Sequence, residues 1–397
     1  MILRILPIVL LAIIIADYYI YRHFIQRWRC GAVVRLLWFC QSLLTCAFTL
    51  YMAFQSDFIP EPKWIADAYL SLLFIWVVPK ALFALVSAFG IKRRKREATD
   101  WCKTDYLACV IAILPVVGYI YGNVWGFHNL KVVRTEYVSE RLPKGFDGYR
   151  IAVISDAHVG SFYSKRGHRF LQQVADSVNA LNPDIVFLLG DIVNMRPNEL
   201  EPVKTILAAI KAPDGVFSVY GNHDYGDYTN ADSIAKVEME KDLSYKMMAF
   251  LGWRQLGNEN VRIAHNGDTI AVVGMHCDNN PDDKPDFKGK NDADVMAAMA
   301  GVGDSLFTVL LQHNPKSWRR HVLPKTQPDL TLSGHTHGGQ MALFGWSPPS
   351  IGKGEWYGWY DDAKGHSLYV TRGIGGLIPM RIGAPPEVVL ITLNTKQ

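Results

Sequence analysis

The sequence Leu330-Thr331-Leu332-Ser333-Gly334-His335-Thr336-His337-Gly338-Gly339-Gln340 joins a short apolar run to a glycine-flanked turn with two histidines. The apolar run predicts a buried strand, and the imidazoles stand one residue apart where that strand ends. Because neutral imidazole nitrogens are common metal ligands, the turn can offer one nitrogen to each of two neighbouring metals. Such a turn is also common at protein surfaces, so the rest of the chain decides between the two interpretations.

Four earlier segments end in the same way, with polar residues directly after an apolar run that predicts a strand. The runs are Tyr149–Ser155, Asp184–Leu189, Gly215–Tyr220 and Leu306–Leu311, and the polar residues after them are Asp156-Ala157-His158, Gly190-Asp191, Gly221-Asn222-His223-Asp224 and Gln312-His313-Asn314-Pro315. In layered α/β sheets, ligands gather at the carboxyl ends of the strands. We therefore expect the five strand ends to form one site.

Helical patterns separate several of these predicted strands. The apolar spacing predicts helices over Phe170–Leu181 and about Glu201–Lys211, and further strands over Thr269–Gly274, Ser367–Thr371 and Glu387–Leu393. Strands that alternate with helices indicate a layered α/β or α+β domain.

The donor types narrow the choice of metal. Carboxylate and amide oxygens mixed with imidazoles suit divalent Mn, Fe, Zn, Co or Ni better than Ca, and the lack of cysteine disfavours a structural zinc site. Two metals that lie about 3.5 to 4 Å apart in one site need a ligand that bridges them. Asp191, which follows Gly190 in a predicted tight turn, is our candidate for that bridge.

The five motifs Asp-x-His, Gly-Asp, Gly-Asn-His-Asp, an isolated His and Gly-His-x-His, in this order, resemble those of the calcineurin-like metallophosphoesterases. The resemblance covers about residues 149 to 393. It implies an α/β fold, a four-layer α/β/β/α sandwich, with a centre of two divalent metal ions. One metal would be held by Asp156, His158, Asp191 and His337, and the other by Asp191, Asn222, His313 and His335.

The resemblance also implies catalytic roles for two residues that are not ligands. His223 would lie near the scissile phosphate, and Asp224 would orient it. His223 would then stabilise the charge of the transition state or protonate the leaving oxygen. The alternative is a hydrogen bond that only orients the loop of His223.

Two further stretches bear on the substrate. Ile192–Met195 lacks the aspartate and arginine that protein serine/threonine phosphatases place after Gly-Asp, which argues against a phosphoprotein substrate. The tail from Arg372 to Glu387 is similar to that of a bacterial membrane-associated branch, which includes enzymes resembling UDP-2,3-diacylglucosamine pyrophosphohydrolases. His276-Cys277-Asp278 departs from the pattern of that branch.

The first third of the chain has a different composition. Four apolar segments, about Ile2–Ile20, Val33–Phe54, Ala68–Phe89 and Tyr106–Trp125, have the length of about 20 residues that a membrane-spanning helix needs. The first segment is too long for the apolar part of a signal peptide and has no typical cleavage site after it. We predict an all-α transmembrane region of about four helices over 1–130, and the phosphoesterase domain over 131–397.

Charge indicates how the chain is oriented. Arg22, Arg27, Arg29 and Arg35 follow the first apolar segment, and the run Lys92–Arg96 follows the third. Basic loops favour the cytoplasmic side, which predicts a multi-pass protein of the cytoplasmic membrane with residues 131–397 outside the cytoplasm. Residues 131–397 hold 28 Lys and Arg against 30 Asp and Glu, so nucleic acid is not an expected partner. Five of the six cysteines precede residue 110, which leaves the redox compartment open.

Other residues have less specific interpretations. Lys80, next to Pro79 in the third apolar segment, is interpreted as structural, with a lipid-headgroup contact as the alternative. The aromatic residues at 346, 356, 357, 359 and 360 either grip an acyl chain, rest at the membrane interface or pack in the core. Arg372 is a candidate phosphate contact, and the histidines at 168, 265, 321 and 366 are expected to be surface or satisfied residues.

The sequence therefore predicts a membrane-anchored, metal-dependent phosphoric ester hydrolase. Its substrate would contain a phosphomonoester, phosphodiester or pyrophosphate bond, and would be lipid-linked or part of the cell envelope. Two alternatives stay open: a tethered general nucleotide or phosphodiester hydrolase, and a metal-binding membrane sensor without turnover.

Overall fold

The computed structural model describes residues 2–28, 30–90, 101–278, 293–352 and 354–396. The chain divides into two compact units, Met1–Asn123 and Val124–Gln397. The ring of Phe127 is buried in the core of the second unit, so this unit begins before the predicted domain start at residue 131. The assignment of 1–130 and 131–397 as separate functional domains stays a prediction. The basic run Lys92–Arg96 and Arg29 lie outside the described residues.

The N-terminal part consists, in its described residues, of helices joined by turns and loops. Its helices are α1 (Ile2–Ile20), α2 (Ala32–Ala53), α3 (Trp64–Leu72), α4 (Val78–Ala88) and α5 (Lys103–Val124). One π-helical turn extends α1 to Ile25, and another joins α3 to α4. These helices give four candidate membrane spans, Ile5–Ile25, Ala32–Ala53, Trp64–Ala88 and Lys103–His128. Their exposed leucine, isoleucine and phenylalanine side chains suit contact with lipid.

A polar cluster joins three of these spans, and we call Asp17, Gln41, Ser42 and Lys80 the intramembrane cluster. The Nζ of Lys80 lies 2.6 Å from Oδ1 of Asp17 and 3.0 Å from Oε1 of Gln41. The other carboxylate oxygen of Asp17 accepts hydrogen bonds from Ser42 at 2.6 Å and from Gln41 at 3.1 Å. Lys80 is thus ion-paired inside the helix bundle, as the structural interpretation predicts.

The second unit contains two mixed six-stranded sheets. In chain order its strands are β1 (Lys131–Ser139), β2 (Tyr149–Ile154), β3 (Ile185–Leu189), β4 (Val216–Val219), β5 (Arg254–Gln255), β6 (Glu259–His265), β7 (Asp268–Gly274), β8 (Thr308–Leu311), β9 (Leu330–Ser333), β10 (Gly358–Asp361), β11 (Ser367–Val370) and β12 (Glu387–Thr395). The first sheet has the order β1-β12-β2-β3-β4-β5, and the second has the order β10-β11-β9-β8-β7-β6.

The alternation of side chains along the strands builds four layers. In β2, Ile151 and Val153 face the second sheet, and Ala152 and Ile154 face helices, because successive side chains point to opposite faces. The helices on the first sheet include α6 (Lys165–Ala180), α7 (Lys204–Leu207) and α8 (Ser233–Lys246), and α9 (Val295–Ala298) packs on the second. This arrangement confirms the predicted α/β/β/α sandwich.

The structure corrects the predicted helix over Glu201–Lys211. Residues Pro197–Val203 form a 3-10 helix, and only Lys204–Leu207 is α-helical. Pro202 accounts for the difference, since proline has no backbone N–H to donate to an α-helical hydrogen bond and its ring clashes with the preceding turn of an α-helix.

Candidate metal centre

The predicted site residues meet at one edge of the two sheets. The strands β2, β3 and β4 are parallel, as are β8 and β9, so within each sheet their carboxyl ends lie at the same side. Two groups of side chains each place their ligand atoms within 4.8 Å of one another: Asp156, His158, Asp191 and His337 in the first, and Asp191, His313 and His335 in the second. Asp191 belongs to both groups.

The carboxylate of Asp191 is the link between the two groups. Its Oδ2 lies 3.2 Å from Nε2 of His313 and 3.5 Å from Nε2 of His158. Its Oδ1 accepts a hydrogen bond of 2.9 Å from the backbone N–H of His223. Burial opposes ionisation of Asp191, but the nearby His313 and His223 lower its pKa well below its ordinary range. Asp191 is therefore a carboxylate placed between two sets of imidazoles.

The backbone is strained at these residues. Asp156, His158, Asp191, His335 and His337 have φ values of 51°, 43°, 52°, 70° and 52°, in the left-handed region that favours glycine. Such conformations cost on the order of 1 to 3 kcal/mol each and persist only where the surrounding structure requires them. The strain occurs within four residues of the strand ends, in the turns that bring these side chains to the shared edge.

Two glycines let the loops after β3 and β4 approach each other. A Cβ atom on Gly190 would lie 2.4 Å from the backbone nitrogen of Gly221, and a Cβ on Gly221 would lie 2.2 Å from Oδ1 of Asp191. Since real Cβ atoms do not approach so closely, any other residue here would push the loops apart.

Buried atoms without partners test whether a metal fits. Among the described residues, Nε2 of His158 and Oδ1 of Asn222 are buried and have no hydrogen-bond partner. A buried polar atom without a partner costs free energy, which a bound cation would recover at an imidazole nitrogen or an amide oxygen. The Nδ2 of Asn222 donates to the hydroxyl of Tyr228 at 2.8 Å, which leaves Oδ1 as the available donor atom. The residues present therefore fit a divalent metal.

Backbone and side-chain partners orient other members of the site. The Nδ1 of His313 lies 2.6 Å from the carbonyl oxygen of Leu189, which turns Nε2 toward Asp191. The backbone N–H of His335 lies 3.0 and 3.1 Å from the two carboxylate oxygens of Asp156. These contacts tie the histidine turn to the first strand end.

The two inner histidines of the second group have opposite pKa shifts. Burial lowers the pKa of His313, but the charge of Asp191 and its hydrogen bond outweigh burial and raise it to about 9. Burial, together with the positive charge of His313, lowers the pKa of His335 to about 3. His335 is thus a neutral imidazole with a lone pair near neutral pH, the form in which histidine binds metals.

The structure shows the contacts of Asp224, whose predicted role in orienting His223 stays a prediction. The carboxylate of Asp224 accepts hydrogen bonds from the backbone N–H groups of Ile192, Val193 and Gly221, at 2.9, 3.2 and 2.8 Å, and so braces the loops after β3 and β4. Burial, and then the charge of Asp191, raise its pKa to about 7. Asp224 therefore stabilises the loop that carries His223 and forms no described hydrogen bond with the imidazole itself.

Another residue orients His223. Its Nδ1 lies 2.7 Å from the carbonyl oxygen of Asn194, and its ring stacks on Tyr228 at a centroid distance of 4.0 Å. Its ring also lies 4.8 Å from that of His158, in the first ligand group. A carbonyl can only accept, so Nδ1 carries the proton and Nε2 is left for other partners.

Several residues at the site were missed from the sequence. Besides Asn194 and Tyr228, the half-buried Glu199 accepts backbone hydrogen bonds from Asn194, Met195 and Arg196 at 2.5, 3.0 and 3.1 Å. These contacts fix the loop whose carbonyl orients His223. The position of Glu199, eight residues after Asp191, carries no motif that would have indicated this role.

The remaining predicted residues have diverse surroundings. The rings of Trp359 and Tyr137 stack at 5.8 Å, which supports core packing for this tryptophan, whereas Trp346 is exposed. His366 lies 2.8 Å from a carboxylate oxygen of Asp362, as expected for a satisfied histidine. The guanidinium of Arg372 lies 3.6 Å over the ring of Tyr357, and its role as a phosphate contact stays a prediction.

Comparison with known proteins gives consistent matches. The family model described as calcineurin-like phosphoesterase matches residues 149–339. The metallophosphoesterase YkuE of Bacillus subtilis is 30% identical over 290 residues, which cover 70% of this chain and 90% of that protein. A transmembrane protein with metallophosphoesterase domain from Danio rerio is 30% identical and matches 92% of this chain and 81% of its own length. The UDP-2,3-diacylglucosamine pyrophosphatase LpxG of Chlamydia trachomatis is 28% identical, covering 72% and 96% of the two chains.

Proposed function

The chain belongs to the calcineurin-like phosphoesterase family and is a phosphoric ester hydrolase, and from this premise we propose that it hydrolyses a lipid-linked phosphodiester or pyrophosphate of the cell envelope. The observation that carries the proposal is the pair of ligand groups that share Asp191, in a chain that also contains four candidate membrane spans. A hydrolase attached to a bilayer has ready access to substrates that the bilayer holds.

We assign the ligands of two divalent metals by the two groups. Asp156, His158, Asp191 and His337 would hold one metal, and His313, His335 and Asn222 would hold the other together with Asp191. When bound, the two metals neutralise phosphate charge and lower the pKa of a water molecule so that it is a nucleophile near neutral pH.

The chain's own residues then position the reaction. Asp191 keeps the two ligand groups together, and Asp224 holds the loops after β3 and β4 at a fixed separation. The carbonyl of Asn194 fixes the tautomer of His223, whose Nε2 is the group we assign to hydrogen-bond the phosphate or to protonate the leaving oxygen. These assignments also apply to a soluble phosphoester.

One observation favours a lipid-linked substrate, and another argues against a phosphoprotein. The relative named a UDP-2,3-diacylglucosamine pyrophosphatase matches over almost its whole length. The loop Ile192–Met195 lacks the aspartate and arginine expected for phosphoprotein substrates. The arginines after the first span support a phosphoesterase unit on the extracytoplasmic side, by the positive-inside rule.

The test is hydrolysis by the purified full chain in lipid nanodiscs with added Mn²⁺. The substrates are UDP-2,3-diacylglucosamine as the lipid-linked pyrophosphate, and bis(p-nitrophenyl) phosphate as the soluble diester. We expect turnover of both with a higher kcat/KM for the lipid-linked compound, and loss of both in Asp191→Ala. The matched control is Asp176→Ala, which removes an exposed carboxylate from α6 and should leave the rates unchanged.

The alternatives predict other outcomes. Turnover of soluble diesters and nucleotides with no preference for the lipid would favour a tethered general hydrolase and would overturn the proposed substrate class. Metal binding with no turnover of either compound would favour a sensor.

A further inference from the structure

A tight apolar turn follows the histidine motif, and we define it as residues Leu343 to Trp346. Leu343 and Trp346 exchange backbone hydrogen bonds of 2.8 and 2.9 Å across two central residues. The central residues, Phe344 and Gly345, have φ values of 53° and 79°. Phe344 is fully exposed, and Leu343 and Trp346 are each more than half exposed. The apolar side chains of the turn are therefore not covered by the rest of the described protein.

A second turn in the same unit shows what this geometry ordinarily requires. Asn266 and Gly267 join β6 to β7 with φ values of 47° and 84°, nearly those of the apolar turn. Asn-Gly is the preferred pair for two-residue hairpin turns with both φ values positive. A bulky residue such as Phe344 is disfavoured in this conformation, and an exposed phenylalanine gains no burial in return. The local fold therefore does not explain the phenylalanine.

The apolar turn is fixed beside the metal centre. The hydroxyl of Ser347 donates to the carbonyl of Gly338 at 2.9 Å, directly after the candidate ligand His337. On the other side of the turn, the backbone N–H of Ala342 donates to Ile382 at 2.7 Å, and that of Ile382 donates to Gln340 at 2.8 Å. The turn is thus held on one side by Gly338 and on the other by Ile382, which itself bonds to Gln340.

The exposed residues of the turn and of nearby segments indicate which partner would cover the turn. Met341 and Ile351 are also exposed, which widens the apolar surface. Tryptophan, phenylalanine and leucine on one exposed tip are the side chains that enter the boundary between lipid headgroups and acyl chains. The candidate spans on the same chain attach this unit to a bilayer. The charge of Arg319 is matched by Glu355, in the loop that follows the turn, whereas the neighbouring Arg320 is exposed and offers positive charge to anionic headgroups.

We propose that the apolar turn inserts into the headgroup region of the bilayer that holds the chain's own spans. Insertion buries Leu343, Phe344 and Trp346, and it brings the adjacent metal centre to the level of phosphoryl groups at the lipid surface. Insertion of the turn does not depend on whether the substrate is a lipid or a soluble ester.

The test measures depth in the bilayer and requires no turnover. An environment-sensitive fluorescent amino acid is placed at residue 344 of the full chain. The protein is reconstituted at one copy per nanodisc in phosphatidylglycerol and phosphatidylcholine. Lipids that carry a nitroxide at the headgroup or along the acyl chain then quench the fluorescence according to depth. The matched control carries the same reporter at residue 266, at the tip of the Asn266-Gly267 turn. We expect blue-shifted emission and several-fold stronger quenching at residue 344 than at residue 266. Equal quenching at the two turns overturns the proposal.

A second variant separates insertion from folding. F344N gives the turn the residue that its backbone prefers, so we expect unchanged or higher thermal stability and unchanged hydrolysis of bis(p-nitrophenyl) phosphate. With the reporter moved to residue 346, F344N should reduce quenching by the lipid nitroxides. A blue shift that depends on protein concentration, or that appears only when a lipid substrate is added, would instead assign the turn to a second copy of the chain or to an acyl chain, and would overturn the proposal.

Discussion

Two clusters of charged and polar side chains within the described residues, the intramembrane cluster and the metal centre, differ in how fully their hydrogen-bonding groups are satisfied. In the intramembrane cluster, Lys80 contacts Asp17 and Gln41, and the second carboxylate oxygen of Asp17 accepts from Ser42 and Gln41. In the metal centre, imidazoles and carboxylates lie close together, and Nε2 of His158 and Oδ1 of Asn222 have no hydrogen-bond partner within the described ranges.

Unsatisfied hydrogen-bonding groups distinguish a binding site from a structural cluster. A cluster whose hydrogen-bond donors and acceptors satisfy one another stabilises the helices that contain it. Such a cluster leaves no unsatisfied group to bind a ligand. A cluster with left-handed backbone at Asp156, His158 and Asp191 and with unsatisfied donor atoms is stable only because the rest of the fold supports it. The two clusters should therefore respond in opposite ways to substitution and to added metal.

The largest expected effect is on turnover, in Asp191→Ala. Removing the residue shared by both ligand groups should lower kcat by about a thousandfold, or about 4 kcal/mol of transition-state free energy, since two-metal clamping requires both metals. Metal content, measured by mass spectrometry, should fall in parallel, while Asp176→Ala retains both. Full turnover by a metal-poor Asp191→Ala protein would contradict the assignment of Asp191.

The next effect is on stability, in Lys80→Met. Leaving Asp17 buried without its partner should cost about 3 kcal/mol or more of unfolding free energy, as measured for broken buried ion pairs. Titration of the full chain with SDS, followed by helical circular dichroism, measures this loss. The control is Lys241→Met, which removes an exposed ion pair with Glu238 of 2.9 Å and should cost less than about 1 kcal/mol. Equal losses in both variants would show that the intramembrane cluster does not stabilise the bundle.

The smallest expected effect is that of added metal. Mn²⁺ at about 100 times its Kd should stabilise the second unit by about 2.7 kcal/mol, because only the folded site binds it. Limited proteolysis of the full chain, with fragments assigned by mass spectrometry, distinguishes the second unit from the membrane helices. Asp191→Ala should show no protection by metal. Equal protection of both units would contradict the prediction that metal stabilises only the second unit.

The sequence predicts the central sheet strands well because their apolar runs are short and end in glycine or polar residues. It fails for β1, whose side chains are mostly exposed or half-buried, and for α8, whose apolar face is weak. Both elements depend on tertiary partners more than on local pattern. The partner of β1 is β12, the last strand in the sequence.

The residue types of the metal centre could also be predicted, since each candidate ligand follows a predicted strand within a recurring motif. Their hydrogen bonds could not be predicted in the same way. Asp224 binds the backbone of Ile192 and Val193, about thirty residues earlier, and the carbonyl of Asn194 orients His223. Backbone groups carry no sequence signal, so only the folded loops show these contacts.

The place of β12 in the first sheet has a consequence for biosynthesis. This last strand lies between β1 and β2, pairing parallel with one and antiparallel with the other. At translation rates of about 5 to 20 residues per second, β12 is synthesised roughly 10 to 50 seconds after β2. During this interval the nascent chain presents two unpaired strand edges, and a message truncated before Glu387 would yield a membrane-bound product with a divided sheet.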